Sequence, residues 1–132
     1  MLTLSWKKEI KMNKKKILIV DDEKDTLLVL EKQLTTAGYA VVTANSGTQA
    51  LLLAESEQPD IIVLDIQMPG MDGGEVAFRL KQNSITREIP VVYSTCLLSE
   101  SEDCGHGGNV MLAKSKDTKE LIAVIDKVLS RQ

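Results

Sequence analysis

The residues able to do chemistry stand directly after short runs of branched apolar residues. Asp21, Asp22 and Glu23 follow Ile17 to Val20, Asp65 follows Ile61 to Leu64, Ser94 and Thr95 close a run that starts at Val91, and Lys114 follows Val110 to Ala113. Brought together, Asp21, Asp22 and Asp65 repel one another, so they either share protons or take up a cation. A hard divalent ion is the better answer. Carboxylate oxygens with a carbonyl and waters suit Mg²⁺, or Mn²⁺ in its place, and such an ion also takes phosphate oxygens. With the local charge neutralised, one carboxylate can attack phosphorus and form an acyl phosphate. Lys114 and the Thr95 hydroxyl would then contact the phosphoryl oxygens, which carry the charge of the transition state. Asp65 is the best nucleophile candidate, because it ends the central strand. Each residue also has an ordinary reading. An Asp-Asp pair after a strand more often caps a helix, Asp65 could be a turn residue, Thr95 a strand-end hydroxyl bonded to backbone, and Lys114 a surface charge. Their occurrence at successive strand ends favours the chemical reading.

The elements that must position them alternate in kind. Ile17 to Val20 is apolar throughout, which suits a strand buried on both faces. Leu27, Leu30, Leu34 and Ala37 recur at helical spacing, and Gly38 follows where a helix end favours glycine. Ala40 to Ala44 reads as the second strand. Ser46 and Gln49 form a capping box for a helix through Ala50, Leu53 and Ala54, stopped before Pro59. Ile61 to Leu64 is the third strand. A loop with Pro69, Gly70, Gly73 and Gly74 leads to a helix over Glu75 to Gln82, and Pro90 opens the fourth strand, Val91 to Thr95. Val110 to Ala113 is the fifth. A last helix, from Asp117 with Glu120 at the capping position, presents Leu121, Ile125, Val128 and Leu129 on one face. Five buried strands joined by helical crossovers predict an α/β fold, a doubly wound parallel sheet. Functional groups in such sheets gather beyond the carboxyl ends of the strands, where all the residues above stand.

Composition excludes several classes. With 132 residues, 43% hydrophobic and 27% charged, the chain is one domain with a sizeable core. The net charge of −3 hides six lysines against one glutamate within the first sixteen residues, so the folded part is acidic. Nucleic acid, which needs a basic stripe, is not expected as a ligand. Cys96 and Cys104 lack disulfide-framework or zinc spacing and read as free thiols in a reducing compartment. His106, within GHGGN, reads as a solvated loop residue. No apolar run reaches the length of a membrane span, and no signal peptide is evident, so a cytoplasmic protein is expected. Met12 directly precedes the first strand and is a candidate start, which would make residues 1–13 a disordered extension with a solvated lysine cluster.

The stretches KILIVDDE at 16–23, DIIVLDIQMPGMDG at 60–73, IPVVYST at 89–95 and the lysine of MLAK at 111–114 carry a family likeness. Over residues 14–130 the chain resembles the receiver domain of two-component response regulators. The resemblance implies a flavodoxin-like sheet of strand order 2-1-3-4-5 and a receiver domain over 14–132. It implies that Asp65 accepts a phosphoryl group from the phosphohistidine of a sensor histidine kinase or phosphotransfer protein. Asp21 and Asp22 would hold Mg²⁺, the Gln67 carbonyl would complete the ion's shell, Thr95 would be the switch hydroxyl, and Lys114 would contact phosphate. Such a domain is a phosphoacceptor rather than an enzyme. It promotes its own Mg²⁺-dependent phosphorylation and dephosphorylation and switches a surface read by a downstream protein, without membrane or direct nucleic-acid binding.

The departures from the family pattern lie late in the chain. Only 19 positions separate Thr95 from Lys114, and LLSESEDCGHGGN between them has little apolar periodicity, so the fourth helix is expected to be short, distorted or absent. Met111 stands where the fifth strand usually carries an aromatic switch residue. Ser115 stands where proline usually follows the lysine, and a cis bond before serine would cost about 3 kcal/mol. Gln67 and Leu97 occupy the positions that face attacking water, and leucine cannot orient it, so slow hydrolysis of the acyl phosphate is expected. Two other classes compete with this reading. A pseudo-receiver would keep the fold as an interaction module without phosphoryl transfer. An aspartate-nucleophile phosphatase would want an acid where Gln67 stands. No Walker or GxGxxG stretch suggests a nucleotide enzyme. The chain reads as a stand-alone receiver that docks to another protein, or as a piece of a longer regulator or hybrid kinase.

Overall fold

A strand that is apolar at every position must be covered on both sides, and the architecture follows from that requirement. The computed structural model describes residues 14–65, 70–71, 73–95, 102–103, 110–113 and 118–130, with the main chain alone at 95, 102–103, 110–113 and 118. In chain order the elements are β1 (Lys16–Val20), α1 (Lys24–Thr36), β2 (Ala40–Ala44), α2 (Gly47–Glu57), β3 (Ile61–Asp65), α3 (Gly73–Gln82), β4 (Val91–Thr95), β5 (Glu102–Asp103), β6 (Val110–Ala113) and α4 (Thr118–Ser130). The sheet order is β2-β1-β3-β4-β6-β5. All neighbours pair parallel except the two-residue β5, which runs antiparallel to β6.

The doubly wound α/β sheet of order 2-1-3-4 is the expected one, with Val110–Ala113 beside β4 in the place of the expected fifth strand. The sixth strand was not expected. Among the described residues, the connection from β4 to β6 contains this edge strand and no helix. The sequence there lacks the 3.6-residue apolar period that would give a helix a face to bury. The expectations for residues 1–13, Cys96, Cys104, His106 and Asp117, and for the Met111 side chain, lie outside the described residues.

Alternation along the strands divides the core in two. Ile17, Ile19, Ile61, Val63 and Val92 pack with Leu27 and Leu34 of α1 and with Leu121, Ile125 and Val128 of α4. Leu18, Val20, Ile62, Leu64 and Val91 pack with Ala50 and Ala54 of α2 and with Val76, Ala77 and Leu80 of α3. Successive residues of β1 and β3 thus serve opposite cores.

Local chemistry sets the helix ends. The Gln49 N–H donates to Ser46 Oγ at 3.2 Å, while Gln49 Oε1 accepts from the Asn45 N–H at 2.9 Å. This is the expected capping box, with its return bond taken one residue earlier. Ala37, expected on the apolar face of the first helix, is instead its exposed C-cap residue, and Gly38 leaves the helix at φ +105° as expected of glycine. The third helix begins at Gly73 rather than Glu75, and Gly73 itself is buried. Among the described residues, no helix is long and apolar enough to cross a membrane.

Candidate functional site

β1 and β3 are parallel neighbours, and Val20 stands opposite Leu64. The next residue on each strand is therefore an aspartate beside an aspartate. Asp21 is 3% exposed and Asp65 2% exposed, whereas Asp22 faces solvent. One carboxylate oxygen from each of the three lies within 4.8 Å of the others.

Asp21 is held firmly. Its N–H donates to the Ala44 carbonyl of β2 at 3.1 Å, and its Oδ1 accepts from the Glu23 N–H at 3.0 Å. The second bond is a local turn of the kind aspartate favours before a helix. The ordinary role of this residue and its place in the acidic group therefore coexist. Glu23 is the N-cap residue of α1 and makes no side-chain cap bond.

The donor set fits Mg²⁺. Oxygens around an octahedral Mg²⁺ lie about 3 Å apart along an edge and about 4 Å across a diagonal, given bonds of about 2.1 Å. Three carboxylate oxygens within 4.8 Å of one another are close to that spacing, and their hardness suits this ion. Burying two of the acids lowers the local dielectric and strengthens their attraction for a cation.

Of the residues singled out from the sequence, Asp21, Asp22 and Asp65 come together. Ser94 of β4 stands opposite Asp65, and the Thr95 main chain ends the same strand opposite Ala113. The Thr95 side chain lies outside the described residues, as do Gln67, Lys114, Leu97 and Ser115. Sequence reasoning missed Gly47, the first residue of α2. A Cβ placed on it would lie 2.9 Å from Met71 Cβ and 2.9 Å from Val76 Cγ2. The only signal was a glycine directly after the Ser46 cap.

Comparison with known proteins follows the same lines. The family model of the response regulator receiver domain matches residues 17–126. The alkaline phosphatase synthesis transcriptional regulatory protein PhoP of Bacillus subtilis is 48% identical over 120 residues, which cover 89% of this chain and 49% of PhoP. Response regulator PleD of Caulobacter vibrioides is 41% identical over 114 residues, 86% of this chain and 24% of PleD. The chain thus spans about half or less of these curated relatives. Among solved structures, chemotaxis protein CheY4 of Vibrio cholerae superposes with a TM-score of 0.76 at 27% identity, over 87% of this chain and 98% of that one. Response regulator TrrA of Thermotoga maritima, solved in complex with Mg²⁺ and BeF, gives 0.74 at 30% identity, over 86% and 98%.

Proposed function

The chain belongs to the response regulator receiver domain family, and from that premise we propose that Asp65 is its phosphoacceptor, with Asp21 and Asp22 holding the divalent cation. Receiver domains of two-component systems are phosphoacceptor signalling domains rather than classical enzymes, and they bind Mg²⁺ at an acidic pocket. The observation that carries the assignment is the convergence of Asp21, Asp22 and Asp65, with carboxylate oxygens within 4.8 Å of one another at the carboxyl ends of adjacent strands.

In this reading the donor is the phosphohistidine of a sensor kinase or phosphotransfer protein. A carboxylate oxygen of Asp65 attacks phosphorus, the new O–P bond forms as the P–N bond breaks, and the electron pair returns to the imidazole nitrogen, which takes a proton from solvent. A bound Mg²⁺, or Mn²⁺, supplies charge neutralisation at the phosphoryl oxygens. Asp21 and Asp22 hold the ion with the Gln67 carbonyl, while Lys114 and the Thr95 hydroxyl contact the transferred group. The domain then promotes its own dephosphorylation, slowly, because Leu97 offers no polar atom to attacking water; Leu97→Glu speeds phosphate release in a time course. Residues 14–132 form the receiver, which acts in the cytoplasm and switches a surface read by a downstream protein. No observation favours the pseudo-receiver alternative.

The test is direct. Incubated with Mg²⁺ and acetyl phosphate, the protein gains the mass of one phosphoryl group by intact-mass spectrometry, and Asp65→Asn abolishes the gain. A wild-type chain that gains nothing, or a variant that gains as much, sinks the assignment.

A further inference from the structure

Gly47 is buried at the first position of α2. Its backbone lies outside the left-handed region that Gly38 and Gly70 occupy, so what demands glycine here is space. A Cβ on Gly47 would meet Met71 Cβ at 2.9 Å, Val76 Cγ2 at 2.9 Å and Met71 Sδ at 3.0 Å, where ordinary contacts begin at 3.4 Å. Any side chain would have to displace both Met71 and Val76 by about half an ångström.

Both sides of that contact lead to the acidic group. Met71 belongs to the connection that leaves Asp65 and enters α3 at Gly73. Gly47 follows, by three positions, Ala44, whose carbonyl receives the Asp21 N–H at 3.1 Å. We propose that Gly47 is a positioning residue for the cation site: the space left by its missing side chain seats Met71, six positions after Asp65, against the helix start three positions after the Ala44 that anchors Asp21, and so sets the spacing of the two buried carboxylates. The proposal rests on the reading of this site as a Mg²⁺-dependent phosphoacceptor. Constellations of this kind need their groups held within about 0.5 Å, which is the size of the push a methyl group would deliver.

The experiment is a Mg²⁺ titration of the full chain followed by amide chemical shifts, with no phosphodonor present. Gly47→Ala is expected to weaken Mg²⁺ binding by about tenfold. Ala54→Gly, at a buried position further along the same helix, loosens α2 without touching Met71 and is expected to bind as the wild type does. A merely structural role would move both variants alike, and that result overturns the proposal, as does wild-type affinity in Gly47→Ala. If Gly47→Ala does not fold, Met71→Ala decides: it strips the thioether from the seat and is expected to weaken Mg²⁺ binding, and unchanged affinity overturns the proposal. A wild-type chain indifferent to Mg²⁺ overturns this proposal and the phosphoacceptor reading together. Normal wild-type binding with indifferent variants overturns only the role of Gly47.

Discussion

The two ends of β1 and β3 are built on opposite principles. At the amino end, the Lys16 N–H donates to Asp60 Oδ2 at 2.7 Å, and the Asp60 N–H returns a bond to the Lys16 carbonyl at 2.8 Å. The Lys16 ammonium reaches Glu57 Oε1 at 3.1 Å and the Glu57 carbonyl at 3.3 Å. At the carboxyl end, about 16 Å away by strand rise, the same strands gather Asp21, Asp22 and Asp65. One end pairs opposite charges and stabilises the fold. The other gathers three carboxylates within 4.8 Å of one another. A sheet with well-bonded amino ends and two apolar cores tolerates such a local conflict, and functional sites are where such conflicts are expected.

The two ends can be separated by experiment. The largest effect is at the carboxyl end: at a hundredfold excess over its Kd, Mg²⁺ is expected to raise unfolding free energy by about 2.7 kcal/mol in denaturant titrations. Asp21→Asn should abolish most of that gain. The amino end should answer differently. Asp60→Ala removes the acceptor of the Lys16 N–H and is expected to cost about 1–2 kcal/mol, while Asp65 is phosphorylated by acetyl phosphate at the wild-type rate. A large loss of phosphorylation in that variant would break the division of labour. Lys16→Met removes only the half-exposed Lys16–Glu57 pair, with side chains 35% and 40% exposed, and should cost about 0.5 kcal/mol or less. The smallest effect is one of sign. Without Mg²⁺, Asp22→Asn relieves like-charge repulsion and should raise stability by roughly a few tenths of a kcal/mol; a loss of stability would mean that this carboxylate is better paired than its company suggests.

Much of this was legible in the sequence because the signals were local. Apolar runs such as Ile17–Val20 and Ile61–Leu64 announce strands covered on both faces, and an acid directly after such a run must stand at the carboxyl edge. Ser46 and Gln49 announced a helix start, and Gly38 a helix end, through short-range hydrogen bonding and backbone freedom. Other features escaped because they belong to tertiary structure. Glu102–Asp103 has no strand propensity, and only the neighbouring edge of β6 makes it a strand. Ala37 fitted the apolar spacing of α1, yet the helix ended before it could be covered. The requirement for Gly47 is written in Met71 and Val76, which are distant in sequence, and no periodicity reveals such an approach.

The apolar runs Ile17–Val20 of β1 and Ile61–Leu64 of β3 carry one last consequence. Sliding one strand past the other by a single residue would still set apolar side chains against both cores, so hydrophobic patterning alone hardly opposes the slip. Such an offset would carry Asp65 about 3.3 Å along the sheet, out of step with Asp21. What opposes it is main-chain pairing, including the 2.8 Å bond from the Asp60 N–H to the Lys16 carbonyl, which Asp60→Ala leaves in place and which works as a ruler: alignment fixed at one end of the strands is read out as the meeting of two carboxylates at the other.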